Sequence, residues 1–225
     1  MATGRYSTPA PARSRGLHEP RAILPLVWTG LVFAGGRSER MGRDKALVLV
    51  AGRTLLERAV GTVRDAGGVP LILGATREAA GLAGVRFEDE GAAGHGRLGP
   101  LNALRHGLFI GGTPVVVALA CDLPLVPPAF LRYLAGECER HAAVVPRAAG
   151  EMQVLAAAYA VSCLESIERR LAEGERSVHG VLREVGARII EGDELLPFGG
   201  EEIFLNVNSP ADLAKAEKML MASPA

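Results

Sequence analysis

At 225 residues, 48% of them apolar and 4% aromatic, the chain can bury one full α/β core built from Val, Leu, Ile and Ala. Basic and acidic residues balance at 25 each, for a formal net charge of zero; no global field draws in nucleic acid or an anionic membrane, so any anion site must be local. No apolar run approaches the roughly 20 residues of a membrane span, and the widely spaced Cys121, Cys138 and Cys163 form no C-x-x-C pair, which predicts a reducing, cytoplasmic setting without a zinc site or disulfide framework.

Residues 1 to about 24 are rich in Ala, Arg, Ser, Pro and Gly and lack periodicity. They predict a disordered tail (1–24) ahead of a single domain at 25–220. Arg13 and Arg15 are not adjacent and no long apolar segment with a small-residue cleavage site follows, so no export signal is read there. An apolar run at 26–33 predicts the first strand, and 46–50 a short extended piece. Thr54 with Glu57 three residues on is a capping box for a helix to about residue 66. Strands are predicted at 69–73 and 85–87. A Gly-rich stretch at 91–98 leads to a helix from 99–101 to about 109, with Pro100 in its first turn. The continuously apolar 114–121 predicts a central parallel strand ended by Asp122. Helices are expected at 127–139, 161–172 and 177–185, the last capped by Ser177, and strands at 142–145, 154–160 and 187–190. A final helix, 210–219, follows Ser209. This β-α-β alternation predicts one three-layer α/β/α domain with a doubly wound, mostly parallel sheet. Ligands of such sheets bind beyond the carboxyl ends of the strands, where Gly35 and Gly36, Gly74, Asp89 and Asp122 all fall.

Phe33-Ala34-Gly35-Gly36, Arg40-Met41-Gly42 and Asp44-Lys45 read as a strand emptying into a phosphate loop. Glycines let backbone N–H groups approach an anion, and Arg40 and Lys45 supply positive charge for a triphosphate. The loop is neither G-x-x-x-x-G-K-[ST] nor G-x-G-x-x-G. Its order resembles the nucleotidyltransferases, a Rossmann-like fold, and most of all the molybdenum cofactor guanylyltransferases, whose signature runs L-A-G-G-x-x-x-R-M-G-x-D-K; Phe33 replaces the leading Leu. The resemblance implies nucleotide binding by Phe33, Ala34, Gly35, Gly36, Lys45, Asp89 and Asp122.

Cys121-Asp122-Leu123-Pro124 is the second signal. A carboxylate at the mouth of an apolar strand needs a partner, and Mg²⁺ suits one or two carboxylates plus phosphate oxygens. The alternative is an Asp that caps the turn. The resemblance implies Mg²⁺ and nucleotide at Asp122. Asp89 precedes Gly99-Pro100-Leu101, as an acidic residue does in the family; a solvated cluster with Glu88 and Glu90 is the alternative. Gly74 departs from the family, which often carries Asn there, and this bears on base preference. Asn206-Val207-Asn208-Ser209-Pro210-Ala211-Asp212-Leu213 resembles N-V-N-T-P-x-D/E-L. Alternate residues share a face, and the amides of Asn206 and Asn208 can read a polar heterocycle such as a pterin or cap the last helix. Arg176 is a further candidate for the substrate phosphate.

The reaction implied is transfer of GMP from GTP to molybdenum-molybdopterin cofactor with release of pyrophosphate. Arg40, Lys45 and Asp122 are the expected catalytic residues, Asp122 the metal ligand, and Asn206 and Asn208 the substrate-binding pair. Expected partners are GTP, the molybdopterin cofactor and molybdoenzyme maturation proteins, with neither nucleic acid nor membrane. A phosphate monoester is already anionic near neutral pH, so no Ser-His or Cys-His pair is required, and catalysis would rest on positioning and charge neutralisation. The alternatives are a cytidylyl or sugar-phosphate nucleotidylyltransferase, or a non-catalytic molybdopterin carrier. Lys45 and Asp122 speak against the carrier, which needs neither a metal nor leaving-group stabilisation.

Overall fold

The computed structural model describes residues 27–34, 37–38, 43–74, 85–88 and 99–222. The described residues begin the fold with β1 (Thr29–Phe33), two short hairpins, β2 (Arg37–Ser38) with β3 (Arg43–Asp44) and β4 (Leu49–Val50) with β5 (Arg53–Thr54), and a 3-10 turn between them (Lys45–Leu47). It continues through α1 (Leu55–Asp65), β6 (Val69–Leu73), β7 (Arg86–Glu88), α2 (Pro100–Gly111), β8 (Val115–Ala120) and α3 (Pro128–Glu137). The second half holds β9 (Ala143–Ala148), β10 (Glu151–Met152), β11 (Ala156–Ala160), α4 (Cys163–Ala172), α5 (Val178–Glu184) and β12 (Arg188–Ile190). Two 3-10 segments (Gly192–Phe198 and Gly200–Phe204) precede the last helix, α6 (Pro210–Ala222).

Eight strands pair in the order β10-β9-β11-β8-β1-β6-β7, with β12 added on β9. β8, β1, β6 and β7 are parallel neighbours. β11 runs antiparallel to both β8 and β9, while β12 is parallel to β9. The sheet separates two apolar layers because successive side chains on a strand face opposite ways. Val117 and Leu119 of β8 meet α1 and α3 through Val60, Val63, Phe130 and Leu134. Val116 and Ala118 meet α2, α4 and α5 through Leu104, Leu108, Ile167 and Val181. Every residue of β8 is buried, as its unbroken apolar sequence requires. A smaller third cluster, Val48, Val50, Leu55, Val207 and Ala216, fastens α6 to the β4–β5 hairpin.

Several expectations are corrected. The extended piece at 46–50 begins instead as a 3-10 turn, because the Asp44 carboxylate accepts from the Ala46 N–H at 3.1 Å and caps it. The first strand starts at Thr29 rather than 26, with Trp28 packed in the core ahead of it. The strand expected at 154–160 begins at Ala156, because Val154 N–H turns back to the Met152 carbonyl. Ser177 occupies the cap position of α5 but its side chain makes no capping bond. The 3-10 segments and β10 carry no periodic pattern and were not expected. Thr54 and Glu57 form the reciprocal capping box in full. Among the described residues, no helix is long and apolar enough to cross a membrane. The tail at 1–24 and the Gly-rich stretch at 91–98 lie outside the described residues.

Candidate active site

Register brings the site together. Phe33 pairs with Leu73 on one side and Ala120 on the other, so β1, β6 and β8 end at one level. Backbone bonds carry this alignment past the strand ends: Ala34 N–H donates to the Leu73 carbonyl at 2.9 Å, and Cys121 N–H to the Phe33 carbonyl at 3.0 Å. Phe33 and Ala34 thus use these groups to hold the start of the loop in place. Gly74, directly after β6, has φ +83°, a left-handed position that Gly and Asn both favour.

Lys45 lies at the head of the 3-10 turn that Asp44 caps. Its ammonium donates to Asp122 Oδ2 at 2.5 Å, Asn208 Oδ1 at 2.6 Å and Asn206 Oδ1 at 3.3 Å. The pair is largely shielded, with side-chain exposures of 12% for Lys45 and 19% for Asp122, where an ion pair is stronger than on an open surface. Three segments of the chain therefore converge on one nitrogen: the loop after β1, the mouth of β8 and the stretch before α6. The Asp122 backbone takes part as well, its carbonyl accepting from Val207 N–H at 2.9 Å.

Asp122 Oδ1 is buried without a hydrogen-bond partner among the described residues. A buried carboxylate oxygen left unpaired is costly, and a hard divalent cation is the partner its chemistry fits. No group of three or more His, Cys, Asp or Glu suited to a metal occurs among the described residues; one or two carboxylates completed by phosphate oxygens and water is the arrangement Mg²⁺ accepts. The neighbouring Cys121 thiol is pushed up to about 12 by burial and then by the Asp122 charge, so it stays protonated and is no nucleophile.

Asn206 and Asn208 both meet the Lys45 ammonium, with Val207 buried between them. Their carbonyl oxygens face Lys45 rather than the end of α6. That end is capped by Ser209 and Asp212: Asp212 N–H donates to Ser209 Oγ at 3.2 Å, while the Asp212 carboxylate accepts from Ser209 Oγ at 2.8 Å and Asn208 N–H at 3.1 Å. These bonds, Ser209 first, hold the Asp212 carboxyl below its usual range. Asp44 and Asp212 stand in the sequence motifs, but their supporting roles were not assigned from sequence; the S-x-x-D spacing of 209 and 212 is the signal for the second. Arg176 is exposed on the link between α4 and α5. Gly35, Gly36, Arg40 and Asp89 lie outside the described residues.

Residues 30–189 match the MobA-like NTP transferase domain. A probable molybdenum cofactor guanylyltransferase from Pelotomaculum thermopropionicum is 32% identical over 192 residues, spanning 85% of this chain and 92% of the relative. A molybdenum cofactor guanylyltransferase from Desulfosudis oleivorans is 31% identical over 202 residues, spanning 86% and 96%. The crystal structure of molybdopterin-guanine dinucleotide biosynthesis protein A from Archaeoglobus fulgidus superposes with a TM-score of 0.69 at 24% identity, covering 87% of this chain and all of that one; it shares the fold. The family match and the relatives agree: the chain is a nucleotidyltransferase and belongs to the MobA-like family that includes the molybdenum cofactor guanylyltransferases.

Proposed function

We propose that the protein transfers GMP from GTP to the terminal phosphate of the molybdenum-molybdopterin cofactor, releasing pyrophosphate. The observation that carries this reading is the shielded Lys45–Asp122 pair at the mouth of β1 and β8, bracketed by Asn206 and Asn208, in a chain whose relatives are named for guanylyl transfer to this cofactor. A phosphate oxygen of the acceptor would attack the α-phosphorus of GTP, and the bond to the bridging oxygen of the β-phosphate would break. Negative charge then grows on the departing pyrophosphate. Lys45 meets that charge with a fixed ammonium, and fixed opposite charge in a shielded site is the main source of rate in such transfers. Arg40, Gly35 and Gly36 are assigned to the triphosphate and Asp89 to the nucleotide by motif. A divalent cation, Mg²⁺ in this reading, would sit at Asp122 Oδ1 and neutralise phosphate oxygens. The other side of the site, at Asn206 and Asn208, is assigned to the pterin. The cysteine pattern and the proposed reaction support a cytoplasmic setting, with molybdoenzyme maturation proteins as the expected recipients of the product.

Base choice separates this reading from a cytidylyl or sugar-phosphate transferase. Gly35 and Gly36 carry no side-chain methyl that would crowd a purine, and space alone discriminates by about 1–3 kcal/mol. The test is pyrophosphate release from each of the four NTPs with Mg²⁺ and molybdopterin as acceptor, followed by mass analysis of the pterin product under competition. GTP is expected to lead ATP and CTP by roughly that margin or more. A mainly cytidylylated product would overturn the guanylyl assignment while leaving nucleotidyl transfer standing.

A further inference from the structure

An ammonium has three N–H donors, and Lys45 meets three acceptors, one each from Asp122, Asn206 and Asn208. In this arrangement it has no donor to spare. A lysine that is to hold a triphosphate must therefore exchange at least one of these bonds for a phosphate oxygen. The three are unequal. The bonds to Asp122 at 2.5 Å and Asn208 at 2.6 Å have the short lengths of charge-assisted bonds, while that to Asn206 is 3.3 Å.

The supports behind the two asparagines differ in the same sense. Asn208 is braced: its N–H is held by the Asp212 carboxylate, which is itself locked to Ser209 Oγ at the start of α6. Val207, beside it, is buried in the third apolar cluster and bonded to the Asp122 carbonyl. Asp122, Val207, Asn208 and Asp212 thus form a bonded frame beside the lysine nitrogen.

We infer that Asn208, braced by Asp212, is a positioning residue for the Lys45 ammonium, and that an incoming phosphate oxygen replaces Asn206, the longest of the three bonds, while Asp122 and Asn208 keep hold. The inference rests on the reading of Lys45 as a triphosphate-binding group. It gives Asn208 a task on the nucleotide side of the reaction, distinct from recognition of the acceptor. The Asp122 carboxylate is divided to match, with Oδ2 on the lysine and Oδ1 without a hydrogen-bond partner among the described residues.

The test uses the scarcity of lysine in this chain, where Lys45, Lys215 and Lys218 are the only ones. The full-length protein is pulsed with acetic anhydride and each lysine's labelling rate is read by mass spectrometry, with Lys215 and Lys218 as internal references. Asn208→Ala is expected to raise the Lys45 rate several-fold against those references. Asn208→Asp, which keeps an acceptor oxygen, should leave Lys45 slow. An unchanged Lys45 rate in a folded Asn208→Ala protein would overturn the inference. A second arm measures GTP affinity by calorimetry without any pterin. Asn208→Ala should weaken GTP about tenfold, the scale of one bond to a charged group, and should cost nothing further in a Lys45→Ala background. An equal loss in both backgrounds would mean that Asn208 acts independently of Lys45, and would also overturn it. A parent protein that binds no GTP would count against the guanylyl reading alone, since the labelling arm is read without nucleotide.

Discussion

The two oxygens of the Asp122 carboxylate stand in different surroundings. Its Oδ2 pairs with Lys45 while Oδ1 is buried without a partner among the described residues, and removing its charge strikes both. Asp122→Asn keeps the shape and should leave the fold intact, because the backbone bond from Val207 is unaffected. Turnover should fall at least about tenfold, the scale of losing one transition-state contact. Initial rates across a Mg²⁺ titration check this; full Mg²⁺-dependent activity would remove Asp122 from the site. Lys45→Ala is expected to weaken nucleotide binding and slow transfer. The comparison is a thermal-shift titration with GTP and Mg²⁺, and identical curves for mutant and parent would show that the lysine does not meet the triphosphate. Lys45 and Asp122 were legible because their motifs are short and local. That Lys45 also bonds Asn208, 163 positions away, was not, because no local pattern encodes a contact between chain segments that only the folded sheet brings together.

Helices and strands obey the same logic at the scale of their contacts. Gly107 sits inside α2, where glycine is usually a weakness costing about 1 kcal/mol against alanine. Here a Cβ at 107 would lie 2.1 Å from Leu31 Cδ2, and Leu31 is fully buried in β1 with no room to swing away. Overpacking of this kind costs about 1–3 kcal/mol, so the steric term wins and Gly107→Ala should lower the denaturant midpoint. A rise in the midpoint would show that α2 slides on the sheet at little cost. The β4–β5 and β9–β10 turns invite the opposite change. Both carry Ala-Gly with positive φ throughout, Ala51 at 46° and Ala149 at 48°, which is the type I′ geometry that Asn-Gly prefers. Ala51→Asn and Ala149→Asn should each stabilise by up to about 1 kcal/mol, read as a higher melting temperature. The same fact explains why these hairpins were illegible: alanine at a left-handed position sends no turn signal. β8 and α1 were legible, one from an unbroken apolar run and the other from its capping box. The antiparallel direction of β11 was not, because Ala-Ala-Ala-Tyr-Ala is buried on both faces and such a run carries no mark of direction.

At the scale of the whole molecule, the two apolar layers on either side of the sheet make the chain sensitive to alkali through its thiols. Cys138 ends α3 and Cys163 begins α4, and both sulfurs lie near one carbonyl, that of Ala142, with Cys163 Sγ at 3.0 Å. Burial pushes Cys138 up to about 12, helped by its neighbour Cys163, and Cys163 itself to about 11. The unfolded chain releases these protons near the ordinary thiol value of about 9. Below that value both states hold the protons, and their contribution to stability is complete. Above it the unfolded state loses them first, so the folded state binds more protons and stability falls as pH rises toward the folded values. Denaturant midpoints should therefore decline between about pH 9 and 11, and Cys138→Ser with Cys163→Ser should flatten that decline even if the midpoint at neutral pH drops through lost packing. The same burial predicts that thiol reagents modify none of Cys121, Cys138 and Cys163 in the native protein at neutral pH and modify all of them once it unfolds. Titration with a chromogenic disulfide, with and without denaturant, measures this directly. Native labelling at one cysteine without loss of the far-UV signal would mean that one layer opens locally, so the sheet and its two helical faces would not melt as a unit.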